Sequence, residues 1–352
     1  MALFELNPIT KKRWDRFKRI KRGYYSLLVL LFAVVLSLFS NFIANNRPIL
    51  MKYQGKLYFP TFKFYDKEAL GQDDEYGLTD TEADYRALKK EWEGTDNWLI
   101  LAPIPYNPLE NDFTYDNPPP NPPDHKHLLG TDSQGRDVLA RLIYGFRISI
   151  FFSLILVILG ESIGVVIGSL QGFLGGWLDI LSQRFIEVWS SLPFLYIVVI
   201  MSTIFVPSFK LLLVVMLAFQ WLGITYYMRT EMYREKTREY CLAAQSFGSS
   251  KWRIMFKHLL PNCLTPLVTN VPFAIVGGIS ALTGLDYLGY GLPAPTPSWG
   301  ELFDQALKSE NRDKIWLVMS PFTAVVSTLL LVTLIGESVR EAFDPKQYAR
   351  YE

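Results

Sequence analysis

Few residues in this sequence are spaced for covalent chemistry. A phosphate-binding loop needs GxxxxGK[ST]; Gly55-Lys56 lacks both the spacing and the Ser or Thr, so the chain cannot hydrolyse ATP by that route. Cys241 and Cys263 stand too far apart for a CxxC metal or redox motif. No His/Asp/Glu cluster marks a catalytic or metal centre, and no basic stretch interleaved with aromatics marks a nucleic-acid site. An enzyme reading therefore fails. What stands out is Glu161, a lone carboxylate inside a long apolar run. A carboxylate there faces a bundle interior or a wet cavity. Two roles stay open for it: a pore residue that tunes passage of a solute, or a buried group that is protonated or bonded to a polar neighbour. Both require a membrane around it.

Composition agrees. The 352 residues are 50% hydrophobic and 15% aromatic with 20% charged, and mean hydropathy is +0.15. Disordered, collagen-like and disulfide-stapled classes are excluded. A hydrocarbon core about 30 Å thick takes roughly 20 apolar helical residues to cross. Six stretches approach or meet that length: Tyr24–Ile43, Ile148–Leu170, Val188–Val206, Leu211–Met228, Leu264–Leu285 and Ile315–Gly336. The expected fold is an all-α polytopic membrane protein with six transmembrane helices, a large extracytoplasmic insert after the first and a long cytoplasmic loop. The expected divisions are a basic N-terminus 1–23, a first helix 24–43, an outer insert and interfacial segment 44–147, a five-helix core 148–337 and a tail 338–352.

Charge sets the orientation. Residues 1–23 carry eight Lys/Arg against Glu5 and Asp15, whereas residues 47–126 carry nine against fifteen Asp/Glu. The positive-inside rule places both termini in the cytoplasm. The 229–263 loop, with Arg229, Arg234, Lys236, Arg238, Lys251, Arg253 and Lys257, then falls inside, and the 171–187 link with it. No small-x-small cleavage site follows Ile43, so the first span reads as a retained anchor. Both cysteines lie in the inner loop, where a structural disulfide is not expected.

The outer insert begins with alternations at Lys56–Phe59 and Phe62–Tyr65 that suit small strands, then an acidic helical stretch around Thr79–Glu93. Eight of the 21 prolines follow between Pro103 and Pro123, which reads as a stiff polyproline II spacer. Next, Gly130 and Gly135 permit tight turns, and Thr131 or Asp132 can cap a helix whose stripe is Val138, Leu139, Leu142 and Ile143. Arg136, Arg141 and Arg147 lie off that stripe, as on an interfacial helix.

Inside, Tyr240–Gly248 reads as a short helix stopped by glycine. Ser249 or Ser250 caps a second helix, Lys251–Leu260, closed by Pro261. The product is a compact knob, with small residues Ala243, Ala244 and Gly248 open to close approach.

Ala243-Ala244-x-x-x-Gly248 followed by His258-x-Leu260-Pro261 resembles the EAA coupling loop of ABC importer permeases. Leu242 stands where the signature glutamate would be, so no role for that acid carries over. The segment Leu129-Gly130-Thr131-Asp132-x-x-Gly135-Arg136-Asp137 resembles the hallmark of the dipeptide/oligopeptide permease branch. So does Gly336-Glu337-Ser338-Val339-Arg340-Glu341-Ala342-Phe343-Asp344-Pro345. The insert, including Asn97-Trp98 and Pro103-Ile104, is similar to that of YejE-type permeases of microcin C/oligopeptide importers.

The resemblance implies an ATP-driven importer of peptides, microcin C-like antibiotics among them, in a bacterial inner membrane. It implies a second related permease, two ABC ATPase subunits or one double ATPase, and a periplasmic peptide-binding protein. Besides these, only peptide and membrane lipid are expected partners. ATP and Mg would be held by the ATPases, with no cofactor here. The knob would dock in an ATPase cleft and drive alternating access. Residues 286–314 would form a re-entrant or scoop-like element near the path, with Tyr290 and Trp299 either lining it or anchoring at the interface. The competing class is an ion-coupled secondary transporter, for which Gly160-Glu161-Ser162 and Gly336-Glu337-Ser338 are a faint internal echo. A non-transporting receptor or scaffold would leave the knob unexplained.

Overall fold

The computed structural model describes residues 8–72 and 82–343. A basic helix α1 (Pro8–Arg19) leads into α2 (Lys21–Leu38) and a last turn α3 (Ser40–Ile43). The insert holds β1 (Leu50–Tyr53), β2 (Lys56–Tyr58), α4 (Tyr85–Glu91) and β3 (Trp98–Ile100). Then come α5 (Val138–Leu174), α6 (Gly176–Ser190), α7 (Phe194–Ile204), α8 (Phe209–Glu235) and α9 (Glu239–Ser246). After α10 (Lys251–Arg253), a π-helical stretch Ile254–Leu259 and α11 (Leu260–Cys263), the chain continues through α12 (Thr265–Tyr287), α13 (Trp299–Leu307) and α14 (Ile315–Phe343).

Among the described residues, five helices, α2, α5, α8, α12 and α14, are long and apolar enough to cross a membrane. The sixth expected span is broken. Instead of one helix over Val188–Val206, α6 and α7 meet at a 71° bend. Pro193 stands at the start of α7 without an N–H to continue the ladder of α6. The expected 171–187 link is accordingly helical, filled by the end of α5 and most of α6. The interfacial helix and the second span also merge, since α5 runs unbroken for 37 residues, about 55 Å at 1.5 Å per residue.

Contacts divide the chain into two compact units. Among the described residues, the first comprises 8–32, Ser149–Pro293 and 325–343. Its helices α5 and α8 approach closely along a glycine row that the motif search passed over: Gly160, Gly164, Gly168 and Gly172, one per turn. A Cβ on Gly160 would lie 2.5 Å from Gln220 Cγ, one on Gly168 2.9 Å from Met228 Cβ, and one on Gly172 2.6 Å from Met232 Cβ. In lipid, where no water is expelled between helices, such backbone proximity supplies the packing energy.

The second unit comprises Ala33–Ile148 and Ala294–Ala324. Its antiparallel sheet has the order β2-β1-β3, with Met51 paired to both Tyr58 and Leu99. That face closes on Leu70, Tyr85, Leu88 and Trp92. Asp84 caps α4 by accepting the N–H groups of Arg86 and Ala87, so the acidic helix is shorter than expected; residues 79–81 of that stretch lie outside the described residues. Phe62–Tyr65 forms no strand. Its first residues turn back instead, with the Phe62 N–H bonded to Phe59 O at 3.1 Å. The proline segment is no free spacer either: Asn121 donates its N–H to Thr131 Oγ1 at 2.7 Å and accepts the Thr131 N–H at 2.9 Å.

Candidate functional site

The knob of the first unit is built on α8, which continues to Glu235, so Arg229 and Arg234 are helical rather than part of a loop. Gly248 follows α9 at φ +77°, a left-handed conformation that costs an L side chain about 1–2 kcal/mol. The turn is secured by Gly248 N–H to Gln245 O at 2.9 Å and Ser249 N–H to Ala244 O at 3.1 Å. Ser250 then caps α10 through the Arg253 N–H. Pro261 does not end the second helix. It sits in the first turn of α11, where a missing N–H is harmless, and the chain stays helical to Cys263.

One side of the knob is locked down. Cys241, Ile254, Leu259 and Cys263 pack against Met228 and Met232 of α8 and Val165 of α5. Both cysteines are free. Below them, Asp179 of α6 receives Arg229 Nε and Nη2 at 2.6 and 2.7 Å and the Tyr233 hydroxyl at 2.6 Å. Lys236 Nζ donates to Gly172 O at 3.0 Å, and the Tyr240 hydroxyl donates to Glu235 at 2.9 Å. These ties join α5, α6, α8 and α9 into one support.

The other side is bare. Phe247 is 89% exposed and Leu242, Trp252 and Phe256 more than half exposed, with Trp252 stacked on Phe256 at 6.1 Å. Ala243, Gly248 and Pro261 are exposed beside them, while Ala244, His258 and Leu260 are half-buried. The small residues read from the motif thus frame the surface, and the aromatics supply its area. Motif reading missed those aromatics because apolar residues in a short helix are assigned to its core. Asp179, Arg229 and Tyr233 were missed because their partners are some 50 residues apart.

In the second unit, the 127–137 segment folds into a buried ionic clasp. A Cβ on Gly130 (φ +72°) would lie 2.6 Å from Asn121 O, and one on Gly135 (φ +79°) 2.8 Å from Asp112 O. Asp132 Oδ1 accepts the N–H groups of Gln134 and Arg136, and Oδ2 accepts Arg136 Nε at 2.7 Å. Arg136 Nη2 reaches Glu301 Oε1 at 2.8 Å, and Arg141 bonds the other Glu301 oxygen and Pro108 O. Arg136 and Arg141 are buried, contrary to the solvent-facing placement expected for an interfacial helix. Two guanidiniums against two carboxylates neutralise one another, which is the condition for burying them. The cap of α5 is Asp137, not Thr131 or Asp132: its Oδ1 accepts the Ala140 N–H at 2.6 Å.

Asp137 Oδ2 lies 2.7 Å from His127 Nδ1, and Asp112 Oδ2 lies 3.1 Å from His127 Nε2. Burial works against a charged ring, but the bonds to both carboxylates prevail and hold His127 above its ordinary value. Burial likewise opposes Asp112, whose carboxyl is nonetheless held low by Thr114 and His127.

Ser133 N–H donates to Gln305 Oε1 at 3.0 Å and Asn311 Nδ2 to Ser133 Oγ at 2.9 Å, so the clasp grips α13. Trp299, a candidate for the path, is 1% exposed. Its Nε1 donates to Leu142 O at 3.2 Å, and a Cβ on Gly145 would lie 2.9 Å from its ring. It anchors α13 rather than lining an opening. Tyr290 packs, half-buried, against the Val198 and Leu212 cluster of the first unit.

Glu161 is buried, and Asn270 Nδ2 donates to its Oε1 at 3.1 Å. It is bonded to a polar neighbour in its own chain. Glu337 is exposed, so the echoing Gly-Glu-Ser triplets occupy unlike surroundings. Asp344 and Pro345 of the last motif lie outside the described residues.

Residues 164–347 match the family described as "Binding-protein-dependent transport system inner membrane component". The chain is 40% identical to the "Inner membrane ABC transporter permease protein YejE" of Escherichia coli, over 97% of this chain and 98% of that one. It is 39% identical to the "Peptidoglycan transport system permease protein YejE" of Agrobacterium fabrum, over 98% and 95%. A "Dipeptide transport system permease protein DppC" of Haemophilus influenzae is 36% identical over 70% of this chain and 85% of its own. With a family match over residues 164–347 and full-length likeness to such permeases, the chain belongs to the family of inner-membrane components of binding-protein-dependent transport systems.

Proposed function

We infer that this protein is the permease subunit of an ATP-driven importer that takes up peptides delivered by an extracytoplasmic binding protein. The supporting observation is the knob, whose buried side is fixed to α8 and whose exposed side offers Leu242, Phe247, Trp252 and Phe256. A rigid mount with an uncovered aromatic face is suited to receive force from another polypeptide, a form of helix-in-groove docking.

In this mechanism, two ATPase subunits bind ATP and Mg, and their closure moves the knob. Motion passes through the Asp179, Arg229 and Tyr233 tie to α6 and α8, and a second related permease completes the path. Both termini are cytoplasmic, in keeping with the six Lys/Arg in α1. The peptide class follows the relatives, one a peptidoglycan and another a dipeptide transport permease. Reconstitution with the ATPases and the binding protein tests this. ATP-dependent accumulation of labelled peptide is expected, and accumulation driven by an ion gradient without ATP would refute it.

A further inference from the structure

The turn after β2 presents an exposed aromatic surface. Phe59, Phe62 and Phe64 are 52%, 73% and 43% exposed within six residues. The turn is held in place, because Thr61 donates both its N–H and its hydroxyl to Pro48 O, at 3.2 and 2.9 Å. Rings on a fixed backbone are presented outward by construction, not by fraying.

Their position identifies what covers them. The Phe62 ring meets Phe42 edge-on at 5.6 Å between centroids, and Phe42 in turn meets Phe39 at 6.3 Å. Phe39 and Phe42 sit at the outer end of the first span, whose Val35, Leu38 and Phe39 are each at least half exposed. Only 17% of that span's apolar window is buried within the chain. The aromatic turn therefore continues the exposed apolar surface of the first span. Charge agrees. The insert is acidic as a whole, yet around these rings Lys56, Lys63 and Lys67 outnumber Asp66, with Lys63 Nζ 5.5 Å from the Tyr65 ring and the Arg47 guanidinium 5.8 Å from the Phe64 ring. Cations beside exposed aromatics match a phospholipid surface, with phosphates above and glycerol and acyl groups below.

We propose that the Phe59–Phe64 turn is a lipid-binding anchor that inserts Phe59 and Phe62 into the outer leaflet beside the first span. It holds the insert at the membrane surface independently of any partner protein.

Site-directed spin labelling of the full chain tests this in vesicles of phosphatidylethanolamine and phosphatidylglycerol. Phe62→Cys and Phe59→Cys are the test positions. Phe113→Cys, on the same insert and 68% exposed, is the aqueous reference. Cys241 and Cys263 are buried, and the unsubstituted chain reports any labelling of them. The expected result is a severalfold higher ratio of oxygen to nickel-complex collisions at 59 and 62 than at 113. A ratio equal to that at 113 would place the turn in water. Collisions suppressed for both reagents would show a protein cover instead. Either result overturns the anchor.

Discussion

Truncating Phe247 to alanine removes the most exposed aromatic of the knob and touches nothing that holds the knob together. An aromatic side chain offers on the order of 150–250 Å², and Phe247 is 89% exposed. If docking covers half of the free area, about 90 Å² leaves water, worth roughly 2 kcal/mol at about 25 cal/mol per Å². At about 1.4 kcal/mol per factor of ten, affinity for the ATPase subunits should fall about thirtyfold. The permease alone should melt unchanged, because Phe247 is absent from the packed side formed by Cys241, Ile254, Leu259 and Cys263. The assay is equilibrium binding of purified ATPase to the permease in nanodiscs, with Trp98→Ala on the outer insert as control. Wild-type affinity in Phe247→Ala would refute the docking argument, and a lowered melting temperature would show that its premise of a free side chain is wrong.

Four further outcomes follow from the same geometry. Gly248→Arg, with no atom within 4 Å of its Cβ but φ at +77°, should keep the spans folded yet abolish ATPase co-purification; retained association and transport would contradict this. Gly168→Val should destabilise the α5–α8 contact by about 1–3 kcal/mol or more, whereas Gly223→Ala, with no atom within 4 Å of its Cβ, should be silent; thermal unfolding in detergent distinguishes them. Glu161→Gln should preserve the bond from Asn270, while Glu161→Leu leaves that amide unpaired at a cost of about 1–3 kcal/mol; equal melting of the two variants would remove any structural role for the pair. Because the His127 pKa is raised in the folded state, its contribution is complete below the ordinary value of about 6.5 and is lost as pH rises through the folded value. Asp112, held low, gives the opposite limb, lost as pH falls below about 4. Melting of His127→Gln across pH should lack the alkaline decline, and an unchanged decline would assign it elsewhere.

The sequence and the structure agree most where one physical quantity decides. Span length is such a quantity, and five of six apolar runs are single long helices. The sixth contained its own warning in Pro193, which periodicity alone does not weigh. The glycine row was equally open to inspection, since Gly160, Gly164, Gly168 and Gly172 recur every four residues. The clasp was not. Arg136 and Arg141 look like surface cations until Glu301, 165 and 160 residues away, comes to lie between them. Burial of a charge is a property of its partner, and sequence distance hides the partner. The coupling-loop motif located the knob, but which of its faces is bare depends on how Ile254 and Leu259 are seated against α8, which only packing reveals.

The most direct test is to isolate the tagged protein from gently solubilised membranes and identify what accompanies it, in wild type and in Gly248→Arg. A second permease with Walker-type ATPases, the ATPases lost in the variant, is the predicted result. A stable homo-oligomer without any ATPase would contradict the importer and bring the ion-coupled transporter forward.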